Sequence, residues 1–280
     1  SLMGVHFSKV ISCGNECDLN AADFLEYFGR DSNTGIVIGY VEGIKDGRRF
    51  FRIAREVSKT KPVLLWKGGI SDAGSRSAAS HTGALAVKAQ VWDALCKQAG
   101  IVKVDSEDDM LDYLQAFYFL PRPRGNRVAV VSATGGLGVA IADACTDYGL
   151  EMAILSQDTR SRLKAIVPSV GTCLDNPVDI GMMSSFNLQM GIDTVRTLAQ
   201  DEGVDMIIKT VGTSNLDMVS REFEALAGFD KPMIYIFSRA MMALLKELKP
   251  VKGVAIYSTG RRAVQVMSKI LEYERYRSGK

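Results

Sequence analysis

Val128-Ala129-Val130-Val131-Ser132-Ala133-Thr134-Gly135-Gly136-Leu137-Gly138 is the stretch that decides the fold. The apolar run 128–132 reads as a strand buried on both faces. The glycine cluster reads as a tight turn, and the apolar pattern of 137–148 as the helix that follows. Strand, glycine turn and helix in immediate succession form the opening unit of an α/β sheet.

Moving outward, short apolar runs bounded by Gly, Pro or Lys alternate with longer amphipathic stretches. Strands are predicted at 10–13, 35–41, 63–66, 101–104, 128–132, 151–155, 206–211, 233–237 and 254–257. Helices are predicted between them, including 21–29, 48–58, 90–98, 137–148, 188–200 and 261–276. Such alternation, with near-continuous apolar strands, predicts parallel sheets covered on both faces: an α/β, doubly wound fold.

Pro121-Arg122-Pro123-Arg124-Gly125-Asn126 interrupts any regular element and marks a linker. It divides the chain into expected domains at 1–120 and 125–280. The two halves resemble each other in order. Gly4-Val5 before Lys9-Val10-Ile11 parallels Gly149-Leu150 before Ala153-Ile154-Leu155, and Lys61-Pro62-Val63 parallels Lys231-Pro232-Met233. Gly35-Ile36-Val37-Ile38 parallels Val204-Asp205-Met206-Ile207-Ile208, and Gly100-Ile101-Val102 parallels Gly253-Val254-Ala255. Short matches of this kind also arise between unrelated α/β units. Taken as a repeat, they leave the first half without the opening strand and helix that 128–148 supply to the second. In a flavodoxin-like strand order that strand is central. The expectation is a second half with a complete five-stranded parallel sheet, and a first half that begins at its second strand, near Lys9. A chain cut from a longer polypeptide, or a partner element, would account for the gap.

Bulk properties narrow the function. The 280 residues are 47% hydrophobic and 24% charged, as in ordinary globular proteins. The net charge of +2 is spread along the chain and suggests neither nucleic acid nor an anionic membrane surface. No apolar run reaches the roughly 18 residues that span a bilayer, and the first residues lack a signal-peptide pattern. Five cysteines, odd in number, fit free thiols in a reducing, cytoplasmic setting. Cys13 and Cys17 stand three residues apart with no second pair or nearby histidine, so no metal site is expected.

Four segments can carry chemistry. Residues 67–84 follow a strand and hold four glycines, four serines and His81, one of two histidines in the chain. Carboxyl ends of strands are where doubly wound sheets bind ligands. His81 is flanked by small residues and sterically open, and imidazole is a capable nucleophile near neutral pH. The same composition also describes a surface histidine in a flexible loop. The turn Thr134-Gly135-Gly136-Leu137-Gly138 leads into a helix whose first N–H groups can hold a phosphate. It is neither a Walker A sequence nor a full G-x-G-x-x-G, which argues against a nicotinamide cofactor; a packing turn reads equally well. Glu42 stands at a strand end beside Gly43, placed to orient an imidazole or simply to begin a helix. Asn176-Pro177-Val178-Asp179 is a turn at the expected ligand edge of the second half.

Together these pieces resemble the NDP-forming acyl-CoA synthetases, above all ADP-forming acetyl-CoA synthetase, with succinyl-CoA synthetase as a more distant relative. The resemblance covers nearly the whole chain. It rests on residues 7–15, on Glu42-Gly43-Ile44-Lys45-Asp46-Gly47, on Ala79-Ser80-His81-Thr82-Gly83-Ala84-Leu85, on Thr134-Gly135-Gly136-Leu137-Gly138 and on Asn176-Pro177-Val178-Asp179, in the family's order. It implies two succinyl-CoA synthetase-like flavodoxin domains. It also implies a reaction in which acyl-CoA and phosphate give an acyl phosphate, a histidine takes the phosphoryl group, and ADP receives it. His81 would be that histidine, Glu42 its orienting carboxylate, and Gly135–Gly138 a helix start that stabilises phosphate. Coenzyme A, ATP or ADP with Mg, and phosphate are the implied ligands, held mainly by a CoA-binding Rossmann domain and an ATP-grasp domain that this sequence lacks. Those domains, fused or on a separate subunit, are the implied partners of an oligomeric enzyme acting on a small carboxylic acid. A regulatory or protein-acetyltransferase-associated module that senses ligand without turnover is the alternative, as is a structural module.

Overall fold

The computed structural model describes residues 4–71, 73–74, 76, 87–182, 186–242 and 248–279. They form two compact units. One comprises Val5–Tyr118 with the chain end from Glu272; the other comprises Phe119–Leu271 together with Gly4.

In the first unit the order is α1 (Ala21–Arg30), β1 (Val37–Val41), α2 (Gly47–Ser58), β2 (Val63–Lys67), α3 (Ala89–Ala99), β3 (Val102–Val104) and α4 (Glu107–Phe119). The helix starts follow from local chemistry. Asn20 and Asp23 form a reciprocal capping box before α1, and Asp46 accepts the Arg49 N–H before α2. The strands pair in parallel in the order β1-β2-β3, with Val37 opposite Val63 and Leu64 opposite Val102. Phe50, Ala54, Trp92 and Cys96 from the helices close over Val37, Val63 and Leu65.

The second unit runs β4 (Arg127–Ser132), α5 (Gly135–Asp147), β5 (Glu151–Met152), α6 (Gln157–Ile166), β6 (Val178–Asp179), α7 (Leu188–Gln200), β7 (Met206–Thr210), α8 (Leu216–Ala225), β8 (Met233–Ile236), β9 (Val254–Tyr257) and α9 (Gly260–Ser278). Its strands lie in the order β5-β4-β7-β8-β9, with β6 also paired to β4, and every ladder is parallel. No helix among the described residues is long and apolar enough to cross a membrane.

β4 is the hub. Val128, Ala129, Val130 and Val131 are each fully buried. One edge of β4 pairs with β7 along its length. The other is covered piecewise: β5 pairs at Arg127 and Val128, and β6 pairs at Val131 and Ser132. Between them the side chain of Asn176 substitutes for a strand. Its Nδ2 donates to the carbonyls of Val128 (2.7 Å) and Ala153 (3.0 Å), and its Oδ1 accepts the Val130 N–H (2.9 Å). This insertion is why β5 is two residues long where the apolar pattern predicted 151–155. It also shows that Asn176-Pro177-Val178-Asp179, read from sequence as a turn, carries a short strand.

The expected strand at 10–13 is not formed; Val10 is 83% exposed. The reason lies in the strand order. In the second unit the equivalent β5 pairs with β4 alone. Among the described residues the first unit has no strand in the place of β4, so 10–13 has no backbone partner.

The repeat is visible in its hydrogen bonds. Lys61 Nζ donates to the carbonyls of Phe28 (2.9 Å) and Asp31 (2.6 Å) at the end of α1, and Lys231 Nζ donates to the Asp201 carbonyl (2.6 Å) at the end of α7. Pro62 accepts the Val37 N–H, and Pro232 accepts the Ile207 N–H. Gly4 and Gly149 share a positive φ (73° and 69°), as do Gly100 and Gly253 (68° and 96°).

Asn176→Ala is expected to leave the Val130 N–H without its acceptor and to cost about 2 kcal/mol. Urea unfolding followed by circular dichroism, with amide exchange at Val130, measures this; unchanged exchange there would show that Asn176 is dispensable to the hub.

Candidate functional site

In the first unit the described part of the candidate site lies at the carboxyl ends of β1 and β2. Glu42 directly follows β1, and the segment leading to His81 leaves the end of β2, where Val41 is registered opposite Lys67. His81 itself lies outside the described residues, so the structure places the root of its loop and not its ring. Lys67 ties the two strand ends together. Its side chain is 4% exposed, and Nζ donates to the Glu42 carbonyl at 2.7 Å and to the Gly68 carbonyl. Burial holds the Lys67 ammonium below the usual lysine range, and the Glu42 charge opposes that shift. The Glu42 carboxylate accepts the Tyr40 hydroxyl at 3.3 Å; burial, then this carboxylate, raises the phenol above its ordinary value. The glycine after Lys67 lies against Tyr40: a Cβ at Gly68 would come within 2.2 Å of the Tyr40 hydroxyl oxygen and would move that ring.

In the second unit Thr134 is the N-cap of α5 but makes no side-chain cap. By contrast, Asn20, Asp46, Ser156, Asn187 and Asn215 each cap the helix they precede. Ser132 holds the turn instead: its Oγ donates to the Thr134 carbonyl (2.7 Å) and accepts the Thr134 N–H (3.2 Å). Gly135, Gly136 and Leu137 are exposed, and Gly138 is buried. The residues that open α5 are thus exposed and without a side-chain cap, at the positive end of a helix dipole, which is an anion-binding arrangement.

Each glycine has its own reason. A Cβ at Gly135 would lie 3.3 Å from Asp179 Oδ2, and one at Gly138 would lie 3.0 Å from Pro177 Cβ. At Gly136 a Cβ would meet nothing. The Asp179 carboxylate is anchored by the Gly181 N–H (2.9 Å), so an acid stands beside the helix start, where the dipole offsets its charge. The turn at 176–179 and the glycine turn at 134–138 therefore make one edge, as expected. Sequence reasoning did not find Lys67. Its only signal was a charged residue ending an otherwise apolar strand.

Residues 2–117 match the succinyl-CoA ligase like flavodoxin domain, and residues 128–237 match the ligase-CoA domain. The alpha subunit of the ADP-forming acetate–CoA ligase II of Pyrococcus furiosus is 42% identical over 204 residues, which are 73% of this chain and 44% of that protein. This chain belongs to the NDP-forming acyl-CoA synthetase family. A second P. furiosus relative, the alpha subunit of the ADP-forming acetate–CoA ligase I, is 32% identical and matches 98% of this chain but 60% of its own length. Among solved structures, acetyl-coenzyme A synthetase 1 of Candidatus Korarchaeum cryptofilum in complex with phosphate and ADP aligns with a TM-score of 0.82 and 28% identity, over 96% of this chain and 59% of that one. The chain thus spans about half the length of these relatives.

The glycine geometry separates packing from binding. Gly138→Ala is expected to push against Pro177 and destabilise the second unit by about 1–2 kcal/mol. Gly136→Ala should fold as the parent does. Thermal unfolding of the two variants compares them, and equal losses would show that crowding does not govern this helix start.

Proposed function

We propose that this chain is the paired flavodoxin-like portion, domains 1–120 and 125–280, of an ADP-forming acyl-CoA synthetase. The enzyme interconverts acyl-CoA, ADP and phosphate with free acid, CoA and ATP. The observation that carries the proposal is the pairing of two carboxyl-edge features in one family member: an uncapped helix start at Gly135–Gly138, and Glu42 beside the strand end that leads to His81.

The chemistry follows from those residues. A phosphate oxygen attacks the thioester carbonyl, the C–S bond breaks, and CoA leaves as the thiol after taking a proton. An imidazole nitrogen of His81 then attacks phosphorus in the acyl phosphate, and the carboxylate leaves. In the last step a terminal oxygen of ADP attacks the phosphohistidine and the P–N bond breaks. The Glu42 carboxylate accepts the imidazole N–H, fixes the tautomer and favours the cationic ring that forms during transfer. The N–H groups of 135–137 offset phosphate charge. By the family resemblance, the nucleotide with its Mg and the CoA fall to an ATP-grasp domain and a CoA-binding Rossmann domain. The alpha-subunit names of the P. furiosus relatives support a partner subunit. The substrate is a small carboxylic acid, and the enzyme works in the cytoplasm as an oligomer.

Incubating the full-length synthetase with γ-labelled ATP tests this directly. The parent should acquire acid-labile, base-stable label, and His81→Ala should acquire none. Glu42→Gln should slow turnover roughly 100-fold. Labelling of His81→Ala at the parental rate would contradict the assignment.

A further inference from the structure

A second feature of the same edge takes no part in phosphoryl transfer. Beneath the loop that follows β7 lies a cavity of about 30 Å³, bounded by Ile180, Leu188, Met218 and Val219 on its apolar side and by Lys209, Glu222 and Tyr235 on its polar side. Lys209 occupies a strand position among fully buried neighbours, where an aliphatic side chain would serve the core. It is 7% exposed, Glu222 is 9% exposed and Tyr235 is 1% exposed. Lys209 Nζ and Tyr235 Oη both donate to Glu222 Oε1, the latter at 2.8 Å. The Phe223 ring packs edge-on against Tyr235 at 4.7 Å and fixes its orientation. Burying such a pair is unfavourable compared with apolar packing, so its presence asks for a role.

The pair also packs against a glycine of the neighbouring helix. Gly191 stands inside α7, where glycine is otherwise a poor choice. A Cβ there would come within 2.8 Å of Lys209 Nζ and 3.2 Å of Glu222 Oε2. The space admits about two or three non-hydrogen atoms. Thr210 and Ala133 also line it, and the Ala133 N–H bonds Thr210 Oγ1 at 3.2 Å. Ala133 immediately precedes the Thr134–Gly138 turn, so the cavity and the uncapped helix start share a wall.

We propose that this cavity receives the end of the substrate acid's carbon chain and that Lys209 and Glu222 select a hydroxyl group there. The inference rests on the synthetase reading above. Lys209 Nζ and Glu222 Oε1 already bond each other, which leaves the ammonium further N–H donors and Glu222 its Oε2 as an acceptor; a hydroxyl oxygen accepts from the one while its proton goes to the other. A methyl group uses neither, and a second carboxylate enters a site that already has no net charge.

The test uses the full-length synthetase with two acids of equal length, 3-hydroxypropionate and butyrate. The parent should favour 3-hydroxypropionate in kcat/KM by at least about tenfold. The double variant Lys209→Met with Glu222→Leu, which exchanges the pair for apolar groups of similar size, should favour butyrate. Should that variant not fold, Glu222→Gln, which removes the acceptor charge while nearly keeping the shape, should likewise weaken the hydroxyl preference. Parental selectivity near one, or a preference that the variants leave intact, overturns the pocket and makes the pair a structural device holding at most a water. A parent that makes acyl-CoA from no acid while folding normally overturns instead the synthetase reading, and the two failures are told apart by that absence of any turnover.

Discussion

A buried parallel strand requires backbone partners along both edges, and β4 shows how strictly the requirement is met. Val128–Val131 are fully buried, and three unlike elements share the work of satisfying one edge: two residues of β5, the amide of Asn176 and two residues of β6. Because Asn176 must reach Val128 and Val130, the residues after it are delivered to the carboxyl end of β4. There Pro177 packs against Gly138 and Asp179 stands beside Gly135. The candidate phosphate site is in this sense a consequence of how the central strand is hydrogen-bonded.

The same requirement explains the first unit. Residues 10–13 have strand chemistry yet form no regular element and stay exposed, while Lys9 is held by Asp31 at 2.7 Å and Ser8 by Thr34 at 3.2 Å. The segment is anchored beside the α1–β1 connection without a ladder to join. Lys9 and Thr34 hold the Asp31 carboxyl at about 2, so the anchor is present at neutral pH and is released only as acid protonates that group.

Much of this was legible from the residues alone. Parallel-strand runs such as 63–66 and 254–257 are apolar on both faces, and their ends coincide with those observed or differ by one residue. The repeat was legible because lysine-proline pairs recur before equivalent strands, where the lysines close the ends of α1 and α7. What escaped was whatever depends on a distant partner. Propensity gave 10–13 and 151–155 full strand character, whereas pairing decided otherwise. Neither Lys67 nor Lys209 was singled out, because a buried lysine announces itself only once its carbonyl or carboxylate partner is in place. Glu42 and the glycine turn stand where the sequence placed them, at a strand end and at a strand–helix turn, because such positions are set by local pattern.

The central claim is that the start of α5 is built to hold a phosphate. Amide resonances of the 135–138 turn, followed during titration of the isotopically labelled chain with inorganic phosphate, report on it most directly. Saturable shifts at Gly135, Gly136 and Leu137, absent at the capped start of α7 around Met190, are the expected result. Phosphate that moves none of these amides, or moves those of every helix start alike, would contradict the account.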